Sequence, residues 1–567
     1  MTRAPHPDIE LANGRIKIAA DLNVLSKRAL NERYVVSLYE EKACGKCPEL
    51  SNRHCSMCDQ CPAFTGRYTF IGKEKIKGRD YLTLPLADYR TVHRALDKGG
   101  HLEDHEIVDN LSRPKMVNKI KFTGKLFGEN AVDEDGNPRA NQEELVAKWL
   151  AEGRGIIQAS PRTGKTVMAT NIVCKLGLRT LIMASKIELL QQFRDTFLGA
   201  EGRKGVTNAA ALEGKSKNRV KVKGRRGGVL PGTVHLVKNL AELEATKADI
   251  VLINPQKAIT KENRKRFEKV VAGKFGICVV DEVHGANADV YARIISLVKP
   301  AHALGLTATP KRKDGRDKLA AFTVGPVVAV SRVVTLAPEV RPVIVKTLPP
   351  TNYKLWAKAV GWISRDASRN DEIVNAIFRD LKAGHRSIIV PVMYKDHMRE
   401  LITRVNKRAI EEGYHRDLAI DLWQGSDRPA ALARANNPKR RTVLVAIYSI
   451  IREGVDLALP TVVHCAVPMS ATSTVGAPMF RQLGFRCATP MKGKKQPIIY
   501  VWIDQHITMF ASAIRSLFWH EIVPGIKESL YKVDKDSFDR FASAPTASRR
   551  TQGSRVRRSG PARQGLW

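Results

Sequence analysis

Between about residues 140 and 330, short apolar runs alternate with longer stretches in which apolar residues recur every three or four positions. Gly155 to Gln158, Thr180 to Ala184, Ile250 to Ile253 and Phe275 to Val280 are short enough for strands and are separated by turn-forming or polar residues. The stretches between them supply crossover helices, and this rhythm predicts a parallel sheet. A second series runs through Ser387 to Met393, Leu418 to Trp423, Thr442 to Ile447 and Thr461 to Val467, and closes with Ile498 to Asp504. The predicted fold class is α/β, with two tandem parallel-sheet domains over 139–335 and 336–535. Between them, the proline-containing stretch Ser331 to Pro350 reads as a linker or edge segment.

Three regions stand outside this rhythm. Residues 1–138 form an accessory unit, in which GRYTFIG and DYLTLPL read as short strands joined by KEKIKGR. Residues 201–232, centred on KSKNRVKVKGRRGG, read as a basic insertion in the first α/β domain. The tail 543–567 carries six arginines and no acidic residue, and is expected to be disordered.

Composition adds a partner to this picture. Lys and Arg total 94 against 57 Asp and Glu, a formal charge of +37 on 567 residues. So basic a surface releases counterions when it neutralises phosphates, which points to a nucleic acid. A 43% hydrophobic and 27% charged composition fits a globular chain and excludes a largely disordered one. No apolar run reaches the roughly eighteen residues of a membrane span. The start MTRAPHPDIE also lacks the apolar core of a signal peptide, so the expected location is the cytoplasm.

The chemistry is concentrated at two strand ends. After GIIQ come Ala159, Ser160, Pro161, Arg162, Thr163, Gly164, Lys165 and Thr166, followed by the helix-like VMATNIVCKL. Strand, glycine-containing loop and helix N-terminus together aim backbone N–H groups at phosphate oxygens. Lys165 would neutralise the β and γ phosphates of ATP and Thr166 would bind Mg²⁺. The first position is Ala159, where the general pattern has glycine. The second strand end is Asp281-Glu282-Val283-His284. Two adjacent carboxylates ending a buried strand call for a cation: Asp281 suits Mg²⁺, and Glu282 suits orientation and deprotonation of an attacking water.

With these two elements the chain resembles superfamily 2 helicases. Asp281 to His284 is similar to the DExH box, and Leu304-Gly305-Leu306-Thr307-Ala308-Thr309-Pro310 to the threonine motif that links hydrolysis to strand movement. Asn141-Gln142 is similar to the glutamine element, which implies adenine recognition by Gln142. Ala184 to Phe193 and Asn254 to Lys257 fall where the family places segments touching a nucleic-acid backbone. Arg452-Glu453-Gly454-Val455-Asp456-Leu457 resembles the fifth motif, implying that Gly454 and Asp456 couple nucleotide and strand binding. Phe480 to Arg486 resembles the last motif in part: Phe485 stands where an arginine is expected and Ala488 where the arginine finger is expected. Arg486 and Arg481 are the candidates to replace that finger.

The resemblance covers about residues 140 to 505 and implies two RecA-like domains with ATP held between them. It is greatest to the DNA-acting branch that includes phage branched-DNA helicases and repair helicases. It therefore implies an ATP-dependent DNA helicase or translocase acting on single-stranded or branched DNA. An RNA helicase, and a nucleic-acid-binding protein whose ATPase has decayed, are the alternatives.

Five of the nine cysteines, Cys44, Cys47, Cys55, Cys58 and Cys61, cluster in the accessory unit. Paired Cys-x₂-Cys knuckles predict a Zn²⁺ module over about residues 40–80, with four of the five as ligands; an iron–sulfur cluster is the competing reading. Cys174, Cys278, Cys465 and Cys487 lie among apolar neighbours and read as buried hydrophobes.

Overall fold

The computed structural model describes residues 7–22, 35–39, 64–76, 78–132, 139–160, 163–200, 203–211, 232–260, 262–283, 288–308, 316–331, 336–348, 355–414, 419–421, 428–448, 451, 457, 459–470, 476–489 and 493–543. The chain forms two compact units. The first comprises Met1–Leu336 with Arg452–Ala458 and Ala488–Lys495; the second comprises Ala337–Ile451, Leu459–Cys487 and Gln496–Trp567.

The first unit opens with β1 (Ile9–Ala12), β2 (Arg15–Ala19), β3 (Val35–Tyr39), β4 (Phe64–Thr69), β5 (Gly72–Ile76), β6 (Arg79–Pro85) and β7 (Ile107–Asp109). The hairpin between β1 and β2 turns on Asn13 and Gly14, with φ of 53° and 69°. Asn-Gly accepts this left-handed pair, whose twist matches that of the flanking strands. β5-β6-β2-β1-β7 form a sheet over a core that includes Ile9, Ile16, Ile18, Leu84 and Leu96. The expectation of a connector at KEKIKGR is corrected here: Gly72–Ile76 is itself an edge strand, paired antiparallel to β6. Its outward Lys73, Glu74 and Lys75 make it resemble a loop in sequence, because an edge strand exposes most of its side chains. β3 and β4 pair antiparallel, with Tyr39 opposite Phe64. The five clustered cysteines lie outside the described residues.

The larger sheet of this unit is built from β8 (Arg154–Gln158), β9 (Thr180–Met183), β12 (Ala210–Ala211), β13 (Thr233–Val237), β14 (Ile250–Ile253), β15 (Ile277–Asp281), β16 (His302–Thr307) and β17 (Val327–Val330), while β10 (Gly199–Ala200) and β11 (Arg203–Lys204) form a separate small hairpin. The order is β12-β13-β14-β9-β15-β16-β8-β17, with every pairing parallel. Apolar side chains fill both faces: in β15, Ile277 and Val279 join one core while Cys278 and Val280 join the other. That double burial is why these strands read as unbroken apolar runs. Within the expected insertion at 201–232, Arg203–Lys204 belongs to the separate hairpin and Ala210–Ala211 to the main sheet; residues 212–231 lie outside the described set.

The second unit holds β18 (Glu339–Val345), β19 (Ser387–Val392), β20 (Ala419–Asp421), β21 (Thr442–Ile447), β22 (Val462–Cys465) and β23 (Ile498–Asp504), in the order β18-β23-β22-β19-β21-β20 and again parallel. The expected linker therefore contains an edge strand, with Pro342 tolerated where a backbone donor is dispensable. Helices Ala367–Lys382 and Lys395–Glu411 cover one face through Ile373, Ile377, Leu401 and Val405. In the first turn of the former, Arg369 is fully buried, donating from Nε to Asp504 Oδ1 at 2.8 Å and from Nη2 to the Ala466 carbonyl at 2.8 Å. Thr347 Oγ1 donates to the same Asp504 oxygen at 2.9 Å. Nearby, burial and then the Arg369 charge push the His397 imidazole down to about 3, so this ring stays neutral. No helix among the described residues is long and apolar enough to cross a membrane.

Candidate nucleotide site

The order β15-β16-β8 brings together the carboxyl ends of three strands that are far apart in the chain. Ligands of open α/β sheets bind at that edge. β8 runs into the phosphate loop, β15 ends in Asp281, and β16, between them, ends in Thr307. Its last two carbonyls join the flanking loops: Ala159 N–H donates to Thr307 O at 2.8 Å, and Val283 N–H to Leu306 O at 3.2 Å. The threonine motif is thus hydrogen-bonded to both chemical loops through the backbone. Thr309, Pro310 and His284 lie outside the described residues.

Within the loop, Thr163 Oγ1 donates to the Ser160 carbonyl at 2.8 Å, and the Gly164 carbonyl accepts from Met168 N–H at 3.0 Å, starting the helix Lys165–Leu176. Lys165 Nζ donates to the Ala159 carbonyl at 3.1 Å and lies 3.8 Å from Glu282 Oε1. Thr166 stands in the first helical turn, and its carbonyl accepts from Thr170 Oγ1 at 2.9 Å. Pro161 and Arg162 lie outside the described residues.

Gly164 has φ of 82°, and a Cβ there would stand 2.3 Å from Gln142 Nε2. Both facts demand glycine. Gly164→Ala is expected to weaken binding of a fluorescent ATP analogue at least about tenfold, equivalent to roughly 1.4 kcal/mol of lost loop geometry. Equal affinities in a direct titration would refute this account of the loop.

Asp281 is 8% exposed, and its carboxyl is pushed up to about 7, first by burial and then by the neighbouring Glu282 charge; Lys165 acts in the opposite direction. Glu282 N–H donates to Asp281 Oδ1 at 3.1 Å, and Glu282 itself has φ of 50°. A non-glycine residue in the left-handed region is held there by the structure around it. A buried carboxylate is the kind of oxygen donor that a hard cation such as Mg²⁺ takes.

Gln142 is buried rather than solvated. Its Nε2 donates to the Thr163 carbonyl at 2.9 Å and its Oε1 accepts from Phe127 N–H at 3.1 Å, so its amide braces the phosphate loop. At the carboxyl ends of β14 and β9, Asn254 Nδ2 donates to the Ser185 carbonyl at 2.8 Å and Asn254 Oδ1 accepts from Gln256 N–H at 3.0 Å. The two segments expected to touch a nucleic-acid backbone are thereby joined, a link that sequence spacing does not reveal.

In the second unit Arg481 makes a two-pronged pair with Glu521, Nε to Oε1 at 2.8 Å and Nη2 to Oε2 at 3.2 Å, and Tyr531 Oη donates to the same carboxylate at 3.3 Å. Arg486 is half-buried near the end of the helix Gly476–Cys487. Gly454 and Asp456 lie outside the described residues, and among those described no cluster of His, Cys, Asp and Glu could hold a metal ion. Cys174, Cys278, Cys465 and Cys487 are buried and unbridged.

A parallel sheet with a phosphate loop and an acidic pair at its carboxyl edge defines a domain of the phosphate-loop nucleoside triphosphatase class. Residues 135–312 match the family model described as "Type III restriction enzyme, res subunit". The chain carries a helicase domain of superfamily 2, of the DExH kind. It is 27% identical over 250 residues to the DNA 3'-5' translocase XPB2 of Sulfurisphaera tokodaii, covering 44% of each chain. It is 24% identical over 191 residues, 33% of this chain and 21% of the relative, to the general transcription and DNA repair factor IIH helicase/translocase subunit XPB of Schizosaccharomyces pombe. A protein of Acanthamoeba polyphaga mimivirus that carries the name of an ATP-dependent RNA helicase, L396, is 26% identical over 253 residues, 44% of this chain and 39% of that one. Each match spans less than half of the relative's own length.

Proposed function

We propose that this protein hydrolyses ATP to translocate on, or unwind, DNA. The observation that carries the reading is the meeting of Lys165 with the acidic pair, Lys165 Nζ lying 3.8 Å from Glu282 Oε1 at the carboxyl edge of a parallel sheet. Lys165 and the loop N–H groups hold the β and γ phosphates, and Glu282 orients a water for attack and accepts its proton. Thr166 and Asp281 would hold Mg²⁺, which when bound neutralises phosphate charge. Gln142 connects this loop to adenine, while Gly454 and Asp456 couple nucleotide to strand. Arg481, which is paired with Glu521, and Arg486 are the two candidates to steady the transition-state charge.

The names of two relatives favour DNA, while the formal charge of +37 suits either polymer. The mimivirus relative favours RNA as the second reading. Comparing ATP turnover with single-stranded DNA, forked DNA and RNA decides between them. Stimulation by DNA is the expected result, and stimulation by RNA alone overturns the assignment. An unwinding panel of forked, three-way and four-way substrates tests the preference for branched DNA.

We assign four of the five cysteines to Zn²⁺ on their knuckle spacing alone. Thiol modification of purified protein is expected to release one zinc per chain while ATP binding persists. A visible-absorbing chromophore would instead identify an iron–sulfur cluster.

A further inference from the structure

Between Asp109 and Glu129 the chain has no acidic residue, yet it carries Arg113, Lys115, Lys119, Lys121 and Lys125. This segment is a strap laid across the amino edge of the larger sheet of the first unit, the edge opposite the phosphate loop. Ser112 Oγ donates to the Gly273 carbonyl at 2.9 Å ahead of β15, and Met116 N–H to the Gly177 carbonyl at 3.0 Å ahead of β9. Val117 N–H donates to Asp249 Oδ1 at 2.6 Å ahead of β14, and Lys121 N–H to Asn208 Oδ1 at 2.8 Å ahead of β12. The order β15-β9-β14-β13-β12 is the order of the sheet, so the strap crosses it strand by strand. Four inter-strand spacings make that crossing roughly 19 Å wide.

Side chains alternate along the strap. Met116, Ile120 and Leu126 are buried against the unit, while all five cations are exposed. Arg113 is paired with Asp109, Nη2 to Oδ2 at 2.6 Å. Lys115, Lys119, Lys121 and Lys125 have no ion pair among the described residues. Exposed Lys247 and Lys274, in the turns leading into β14 and β15, extend the same charge. Four like charges fixed on a hydrogen-bonded backbone repel one another until an anion of matching repeat lies over them. Over roughly 19 Å one strand of a duplex displays about five phosphates at 3.4 Å rise.

We propose that this strap is a second nucleic-acid contact, which takes the phosphate backbone of duplex DNA independently of sequence. No exposed aromatic stands between the lysines, whereas grooves for single strands interleave aromatic platforms with cations. A backbone-only surface suits a polymer whose bases are stacked inside. Only the choice of DNA rests on the function proposed above.

The test uses the full chain with Lys115, Lys119, Lys121 and Lys125 all changed to serine, titrated without nucleotide against a labelled DNA duplex from 50 to 200 mM NaCl. The slope of log affinity against log salt is expected to fall by about three to four, close to 0.9 per lost phosphate contact, with affinity at 100 mM salt down at least about tenfold. The same four positions changed to arginine should keep the wild-type slope. ATP turnover without DNA should equal wild type, which also reports on folding; were the quadruple variant misfolded, Lys119→Ser and Lys121→Ser singly should each lower the slope by about 0.9. A variant that matches a DNA-binding wild type in slope and affinity overturns the strap alone. Equal loss of single-stranded DNA binding overturns the duplex assignment. A wild type without affinity for DNA overturns the proposed function and the choice of partner together.

Discussion

Lys165→Ala is expected to reduce ATP turnover by at least about 10²–10³-fold, because it removes a cation proposed to sit at the β and γ phosphates, where charge develops in the transition state. The change removes the Lys165 Nζ bond to the Ala159 carbonyl but keeps the bonds from Thr163 Oγ1 to the Ser160 carbonyl and from Met168 N–H to the Gly164 carbonyl, which hold the loop and the helix start. Glu282→Gln is expected to behave differently: ATP stays bound and uncleaved, because the amide can still hold a water but cannot accept its proton. Phosphate release and equilibrium binding of a labelled nucleotide separate the two. Turnover at the wild-type rate in either variant would remove the assigned site.

Removing one member of the Arg369–Asp504 pair is expected to destabilise the second unit by about 3–5 kcal/mol, the largest stability effect anticipated for a single substitution here. Both side chains have 0% exposure, so Arg369→Met leaves a carboxylate in the core with Thr347 Oγ1 as its remaining side-chain donor, and Asp504→Leu leaves a guanidinium with the Ala466 carbonyl. The exposed pair Arg399–Asp396 offers the contrast, since solvent screens such a bridge to under about 1 kcal/mol. Because burial of two charges is itself costly, the double variant Arg369→Met/Asp504→Leu is expected to recover most of the loss. Urea unfolding followed by hydrogen exchange in β23 measures this. Single variants within about 1 kcal/mol of wild type would show that the pair is solvated in solution.

Much of the fold was legible because burial on both faces leaves a plain signature. β14 and β15 are apolar at successive positions, and no amphipathic element produces that pattern. The phosphate loop was legible because its chemistry is local: glycine, lysine and threonine at a helix start need no distant partner. β5 was misread for the opposite reason, its outward Lys73, Glu74 and Lys75 being indistinguishable in composition from a connector. The bracing of Thr163 by Gln142 was not legible, because the amide is also held by Phe127 N–H, fifteen residues away, whose place no local pattern dictates.

The sequence by itself determined the two parallel sheets, the position of the glycine-containing loop, the acidic pair and the excess positive charge, since each follows from periodicity, local turn chemistry or summed charge. Only the tertiary structure decided that β16 lies between β15 and β8 and hydrogen-bonds both chemical loops, that Arg481 answers to Glu521, and that a run of lysines lies along one sheet edge. Strand order and side-chain partnership arise from contacts between residues tens to hundreds of positions apart. Those contacts are selected by packing of the whole core, which short-range spacing does not encode.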